Sequence, residues 1–249
     1  MRSVRAEFVK LRRSLAWVVV VALPLVSVAL GSATTLSNGR GLDDGWHTLW
    51  LRVVVFQGLF PLALGISVLA SLVWRVEHRD GNANALLGAP VSALEVVTGK
   101  VAVLGALLVT LQVVQVVAMT AAGALVFDLP GVLPARYLLL SGVIALAGMP
   151  VAAAQTALSM LVRSFAPPVA VALAGATASV LLLLAKVDTA IVVVPYALLG
   201  RATQLGTGVF ADDGQLTAGV VATVVIASVL LTAALVGGSA ILLDRRDVQ

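Results

Sequence analysis

The chain has 249 residues, of which 60% are hydrophobic and 11% are charged. About a quarter of the residues of a soluble domain are charged, so this composition excludes a water-soluble globular protein and predicts an integral membrane protein. The net charge is +4, but the basic residues lie beside apolar runs, so we attribute them to membrane orientation rather than to nucleic-acid binding. Cysteine is absent, which excludes structural disulfides and thiolate metal sites.

Residues 1–13 alternate apolar and charged side chains at helical spacing. Val4, Phe8 and Leu11 recur every three or four residues, with mostly charged residues between them. This pattern predicts a short amphipathic helix in the headgroup plane, with a frayed, charged terminus as the alternative. The apolar run after Arg13 is too long for the core of a signal peptide, so we expect it to be a retained first span.

Six stretches without Asp, Glu, Lys or Arg are long enough to cross a bilayer, which takes about 20 residues per helix. They are residues 15–36, 53–74, 101–127, 137–162, 167–185 and 217–243. The predicted fold is therefore an all-α integral membrane protein in which one transmembrane domain, residues 1–249, contains six helices.

The basic residues predict the orientation of these spans. With both termini on one side, that side receives eleven of the sixteen Lys and Arg residues and the other side receives five. The positive-inside rule then places both termini in the cytoplasm. The five on the outer side are Arg40, Arg52, Arg136, Lys186 and Arg201.

A charged insert, residues 75–100, separates the second and third spans on the cytoplasmic side. Gly81 begins a turn signal, a short helix is predicted over residues 85–87, and Pro90 disfavours its continuation. Ser92 and Glu95 then have the spacing of a capping box, which predicts the start of a new helix leading into the third span.

Leu86 and Leu87 give this short helix an apolar tip among small residues. Such a tip suits a groove on a soluble partner. An ordinary solvated connection is the alternative.

Residues 188–215 form a longer outer segment between the fifth and sixth spans. Its first part, residues 189–200, is apolar but too short to cross the bilayer, and Pro195 interrupts it. We interpret the segment as a re-entrant or interfacial element; a loop lying on the lipid surface is the alternative.

Few polar side chains lie within the spans, and no catalytic group is evident. Long polar side chains occur at Gln57, Gln112, Gln115 and Gln155. All four are candidates for lining a passage. Gln112 and Gln115 lie on one helical face and either line it or bond a neighbouring helix, and for these two we favour the bond between helices.

The two histidines fall on opposite sides of the membrane, and no span contains a carboxylate or lysine. We therefore expect neither an intramembrane enzyme nor an ion-coupled carrier. We also expect no metal site. Gly99-Lys100 resembles a phosphate-binding loop, but Leu94 and Val101 stand where glycine and a hydroxyl residue are needed. If ATP drives this protein, the ATPase is another chain.

Taken together, these features resemble the permease subunits of ABC-2 type transporters, especially the small ones of lantibiotic-immunity and antibiotic-export systems. The resemblance rests on the basic N-terminal helix, the six spans, Pro195-Tyr196 before the last span, and the loop pattern Glu77-(x)3-Gly81 … Leu86-Leu87-(x)2-Pro90-Val91-Ser92 … Lys100.

The resemblance implies two permease subunits, identical or similar, together with two cytoplasmic ABC ATPases that bind ATP and Mg. This chain would then bind no cofactor itself. The N-terminal helix and the first cytoplasmic loop, a coupling helix, would dock on the ATPase, and Pro195 and Tyr196 would belong to an outer gate. The implied docking residues are Phe8, Glu77, Asp80, Gly81, Leu86, Leu87 and Pro90.

The predicted function is therefore that of an exporter permease in a bacterial cell membrane, moving an amphipathic peptide, antibiotic or lipid-like substrate. A membrane subunit that conducts nothing and only anchors a cytoplasmic partner is the alternative.

Overall fold

The computed structural model describes residues 11, 14–37, 42–78, 92–210 and 212–244. Its elements are all α-helices, and no strand occurs in these ranges. The helices are α1 (Ala16–Ser37), α2 (Gly45–Leu59), α3 (Pro61–His78), α4 (Ala93–Leu125), α5 (Ala135–Leu161), α6 (Ala166–Leu184), α7 (Asp188–Val193), α8 (Pro195–Gln204) and α9 (Ala218–Asp244).

Five of these helices, α1, α4, α5, α6 and α9, are long and apolar enough to cross a membrane. A sixth crossing results if α2 and α3 are counted as one bent span. The chain is thus a multi-pass, all-helical membrane protein with five or six crossings among its described residues.

The second predicted span, residues 53–74, is divided in the structure. α2 and α3 meet at an angle of 52°. Pro61 begins α3. Because proline has no N–H and its ring crowds the preceding turn, α2 cannot continue through this position without distortion. The apolar pattern on both sides hides the break, and α2 also begins earlier than predicted, at Gly45.

α4 is the longest helix, with 33 residues, or about 50 Å at 1.5 Å per residue. This exceeds the roughly 30 Å hydrocarbon core of a bilayer. Its start confirms the predicted capping box, because the Ser92 hydroxyl accepts from the Glu95 amide and the Glu95 carboxylate accepts from the Ser92 amide. The helix therefore begins before the predicted span.

Two sets of packed residues mark the two ends of the bundle. At the α3–α4 end, the end of α3 packs with the start of α4 and the ends of α5 and α9 through Trp74, Val97, Met160 and Leu243. At the opposite end, Trp46 packs over Gly123, where a Cβ atom would overlap its ring.

Residues 188–215 contain two short helices, and the second lies inside the bundle. α8 packs against α6, α5 and α2. Seven of its ten residues are buried. They lie between Ala197 and Gln204, and one residue within that stretch is half-buried. A segment spread on the lipid surface would leave one side of α8 open, so these contacts argue against that alternative.

Candidate functional site

Gln155 is the centre of a buried hydrogen-bond network inside the bundle. Its Oε1 atom accepts from the Ser67 hydroxyl at 3.1 Å. Its Nε2 atom donates to the Tyr196 hydroxyl at 2.6 Å and to the Pro168 carbonyl at 3.2 Å. These bonds join α3, α5, α6 and α8. They bring together Gln155 and Tyr196, two residues that the sequence singled out separately.

Tyr196 enters this network because two small residues of α6 let its helix approach closely. A Cβ atom on Gly175 would lie 2.5 Å from the Tyr196 ring. One helical turn further along α6, the Ser179 hydroxyl donates to the Tyr196 carbonyl at 3.0 Å. Pro195 starts α8, and proline is favoured in the first turn of a helix. Tyr196 therefore belongs to the first turn of α8, and its side chain points into the bundle.

The polar contacts between α3 and α5 continue from Gln155 to the α3–α4 end. Ser71 and Ser159 lie with their hydroxyl oxygens 3.4 Å apart, and a His78 ring nitrogen lies 2.7 Å from the Ser159 carbonyl. Ser67, Ser71 and His78 lie on one face of α3 because they are four and seven residues apart. We call the contacts made by Ser67, Ser71, His78, Gln155, Ser159 and Tyr196 the polar seam.

At the α3–α4 end, Glu77 and Lys100 form a buried ion pair. The Lys100 Nζ atom lies 3.1 Å from Glu77 Oε1 and 4.7 Å from the centre of the Trp74 ring. Glu77 is 4% exposed and Lys100 is fully buried. Separating two such buried charges costs free energy in a medium of low dielectric constant. The pair therefore fastens the last turn of α3 to α4, on either side of residues 79–91.

The burial of Lys100 is a feature that sequence reasoning missed. Lys100 was expected at the membrane surface, where it counted toward orientation. Its partner lies 23 residues away, and no local pattern reveals that pairing. The contact of Glu77 with a partner protein stays a prediction, and within the chain its carboxylate bonds Lys100 of α4.

The glutamines in the spans differ in their surroundings. The Gln57 Nε2 atom donates to Gln115 Oε1 at 3.4 Å, between α2 and α4. This is the interhelical bond that we favoured over a passage. Gln112 lies beside a shallow apolar groove between α4 and α5 and takes no part in that bond.

The remaining predicted docking residues lie outside the part of the chain that the structure describes. They are Phe8, Asp80, Gly81, Leu86, Leu87 and Pro90. The predicted interfacial helix over residues 1–13, of which only Leu11 is described, and the predicted short helix at residues 85–87 also lie outside it.

An aromatic and basic cluster at the opposite end of the bundle was not predicted. Tyr137 stacks on Trp50 with ring centres 4.8 Å apart, its hydroxyl lies 3.2 Å from a His47 ring nitrogen, and the Arg136 guanidinium lies over its ring. Aromatic residues near helix ends are typical of membrane interfaces. That enrichment is the signal by which the sequence could have indicated this cluster.

Beside this cluster, an ion pair closes the turn after α8. Arg201 and Asp212 lie 2.9 Å apart, and Asp212 also accepts from the amides of Gly208 and Gly214 at 3.0 Å. Both glycines have φ near +70° or above, which glycine adopts at little cost. The bonds tie the chain between α8 and α9 into a compact turn.

Within the described ranges, no three His, Asp or Glu side chains are placed to share a metal ion. Among the described residues, the arrangement consists of fastened helix ends and interhelical hydrogen bonds. Its chemistry is that of a packed bundle in which polar contacts link distant elements.

Comparison with known proteins agrees with this description. Residues 3–179 match the family described as ABC-2 family transporter protein, which is more than two thirds of the chain. No curated protein and no solved structure matches the chain significantly. Members of this family are membrane subunits of ABC transporters and normally work with a cytoplasmic ATPase. A match of this extent, on a bundle with five or six crossings, shows that the chain belongs to the ABC-2 transporter family as a permease component.

Proposed function

We propose that the chain is the permease of an ATP-driven exporter for an amphipathic peptide, antibiotic or lipid-like substrate, in a system that confers immunity or resistance. The substrate class rests on the resemblance to small antibiotic-export permeases. It is supported by the short connections at the end opposite α3–α4, such as residues 126–134, which leave little chain there for capturing substrate from water. Substrate would then enter from the bilayer or the cytoplasm.

The ATPase docks, in this proposal, on residues 75–100, with help from residues 1–13. The observation that carries the proposal is the buried Glu77–Lys100 pair. Because it fastens α3 to α4 on both sides of residues 79–91, a push on that loop moves the two helices together. Glu77 thus acts as a fastening point behind the docking surface, and Leu86 and Leu87 supply the contact with the ATPase.

The polar seam would carry this motion inward, from the α3–α4 end to Tyr196 inside the bundle. It joins α3 to the last two turns of α5 and ends on Tyr196 at the start of α8. Residues 188–204 are then a re-entrant segment, and the bond from Gln155 to Tyr196 holds the gate closed until α3 moves.

Two permease subunits, identical or paired with a similar chain, would flank the substrate path. α1, α6 and α9 present apolar side chains on the outside of the bundle, among them Leu25, Leu181 and Leu230. These faces suit lipid or a second subunit equally. The basic residues favour a bacterial cell membrane with both termini in the cytoplasm.

Copurification with its cognate ATPase tests the docking site. The variant Leu86→Asp/Leu87→Asp should lose the ATPase, because charged tips cannot enter an apolar groove. Val132→Asp is the matched control, since Val132 is 80% exposed in the connection between α4 and α5. Full copurification and transport by the double variant would refute the docking site.

The same preparations separate an exporter from a subunit that only anchors a partner. An exporter whose gate is Tyr196 should change its transport rate when the Gln155–Tyr196 bond is removed, while the ATPase stays bound. If the chain only anchors a partner, the transport rate of the complex should be unchanged in that variant.

A further inference from the structure

A cavity of about 620 Å³ lies at the α3–α4 end, between α1, α3 and the turn from α5 to α6. This volume falls within the usual range of binding sites for small molecules. Ser71, His78 and Ser159 line its inner side. The cavity therefore borders the half of the polar seam that lies closest to residues 79–91.

The polar part of the cavity is basic. Arg75 and Arg163 both line it and both are exposed. No Asp or Glu is found among its described lining residues, and no described carboxylate pairs with either arginine. Guanidinium groups bind phosphate in a bidentate manner. The charge of the site thus suits an anionic, phosphate-bearing group.

The rest of the wall is apolar and opens sideways to the bilayer. Leu15, Val18 and Phe165 line the cavity, and their exposed fractions are 62%, 59% and 49%. Val68 and Leu72 form the floor on α3. An acyl chain can pack along these side chains while its headgroup stays at the arginines, which a small hydrophilic anion cannot do.

We propose that this cavity binds an anionic phospholipid of the leaflet at the α3–α4 end. The phosphate lies between Arg75 and Arg163, and an acyl chain lies against Leu15, Val18 and Phe165. Basic pockets between transmembrane helices are suited to such headgroups. The bound lipid packs beside His78 and Ser159, so lipid composition sets how firmly α3 is held to α5. Binding itself does not depend on the proposed export function.

Native mass spectrometry of the full-length protein in detergent tests the headgroup site. Dioleoylphosphatidylglycerol should be retained in preference to dioleoylphosphatidylcholine. Arg75→Gln/Arg163→Gln should weaken retention of the anionic lipid roughly tenfold or more, since each basic residue near the surface contributes separately. Lys186→Gln, an exposed cation at the opposite end, should retain it fully. Equal retention of both lipids, or an equal loss in the Lys186 control, would overturn the proposal.

A second variant tests the acyl-chain contact without touching the arginines. Val18→Trp narrows the lateral opening and should also weaken retention of dioleoylphosphatidylglycerol. Glycerol 3-phosphate carries a glycerol-linked phosphate without acyl chains and should bind far more weakly than the lipid. Unchanged lipid retention by Val18→Trp, or glycerol 3-phosphate binding as tight as that of the lipid, would show a site for a free anion instead.

Discussion

Tyr196 contributes to the bundle through one hydroxyl group, whose removal is a mild and specific change. In Tyr196→Phe the ring still packs on Gly175, and Gln155 keeps its bond to the Pro168 carbonyl. We expect a loss of about 1 kcal/mol in the free energy of unfolding, the usual value of one hydrogen bond. If the Gln155–Tyr196 bond holds the gate closed, the variant should also raise the rate of basal transport.

Thermal unfolding in detergent and flux in proteoliposomes measure these two effects. Tyr137→Phe is the control, because it removes a tyrosine hydroxyl at the opposite end of the bundle. The same rise in flux in both variants would mean that the Gln155–Tyr196 bond has no special role.

Lys100 and Glu77 form the residue pair most sensitive to change. Lys100→Met removes one partner and leaves the Glu77 carboxylate buried, so we expect a loss of about 3–5 kcal/mol in the free energy of unfolding. The double variant Glu77→Gln/Lys100→Met removes both charges and should be more stable than Lys100→Met alone.

Chemical unfolding of the two single variants and the double variant completes a mutant cycle. The interaction energy between residues in contact appears in the cycle as non-additivity. Strictly additive losses would show that the pair does not fasten α3 to α4.

At the scale of the element, the position of α8 depends on the absence of side chains where it crosses α6. Gly175→Ala places a methyl group 2.5 Å from the Tyr196 ring, so α8 must shift. We expect a loss of about 1–3 kcal/mol in the free energy of unfolding, typical of overpacking. Gly142→Ala on α5 is the matched control, because a Cβ atom there meets nothing within 4 Å.

The control should be neutral or slightly more stable, since alanine is the better helix former by up to about 1 kcal/mol. Thermal unfolding of both variants is sufficient for this comparison. Equal stability of the Gly175→Ala and Gly142→Ala proteins would contradict the close packing of α8 on α6.

The helices were predictable from sequence because they depend on local features. Apolar runs of about 20 residues mark the long helices, and the Ser92–Glu95 spacing predicted the start of α4. The break between α2 and α3 was missed because Pro61 stands inside an unbroken apolar run, and hydropathy does not register a missing N–H group.

The contacts of the candidate site were not predictable because they join residues far apart in the chain. Gln155 and Tyr196 are separated by 41 residues. The sequence indicated Gln155 only by its polarity and Tyr196 only by the proline before it. Lys100 was expected to be solvated since a charge next to a span usually marks the membrane surface. Only packing of α3 on α4 reveals Glu77 as its buried partner.

At the scale of the whole molecule, we propose that a cytoplasmic ATPase is coupled through contacts inside the bundle to Tyr196, at the start of α8. In the proposed mechanism, docking at residues 79–91 would move α3 and α4 together because the Glu77–Lys100 pair fastens them. The polar seam would then pass that motion through α5 to Tyr196. Each step depends on residues 79–91 facing the cytoplasm and touching the ATPase.

Labelling of a single cysteine tests this requirement most directly, and the chain is suited to it because it contains no cysteine of its own. Leu86→Cys should react with a membrane-impermeant maleimide only from the cytoplasmic face, and bound ATPase should protect it. Lys186→Cys is the control and should react only from the outside, with or without ATPase. Labelling of Leu86→Cys from the outside, or labelling that the ATPase leaves unchanged, would contradict the account.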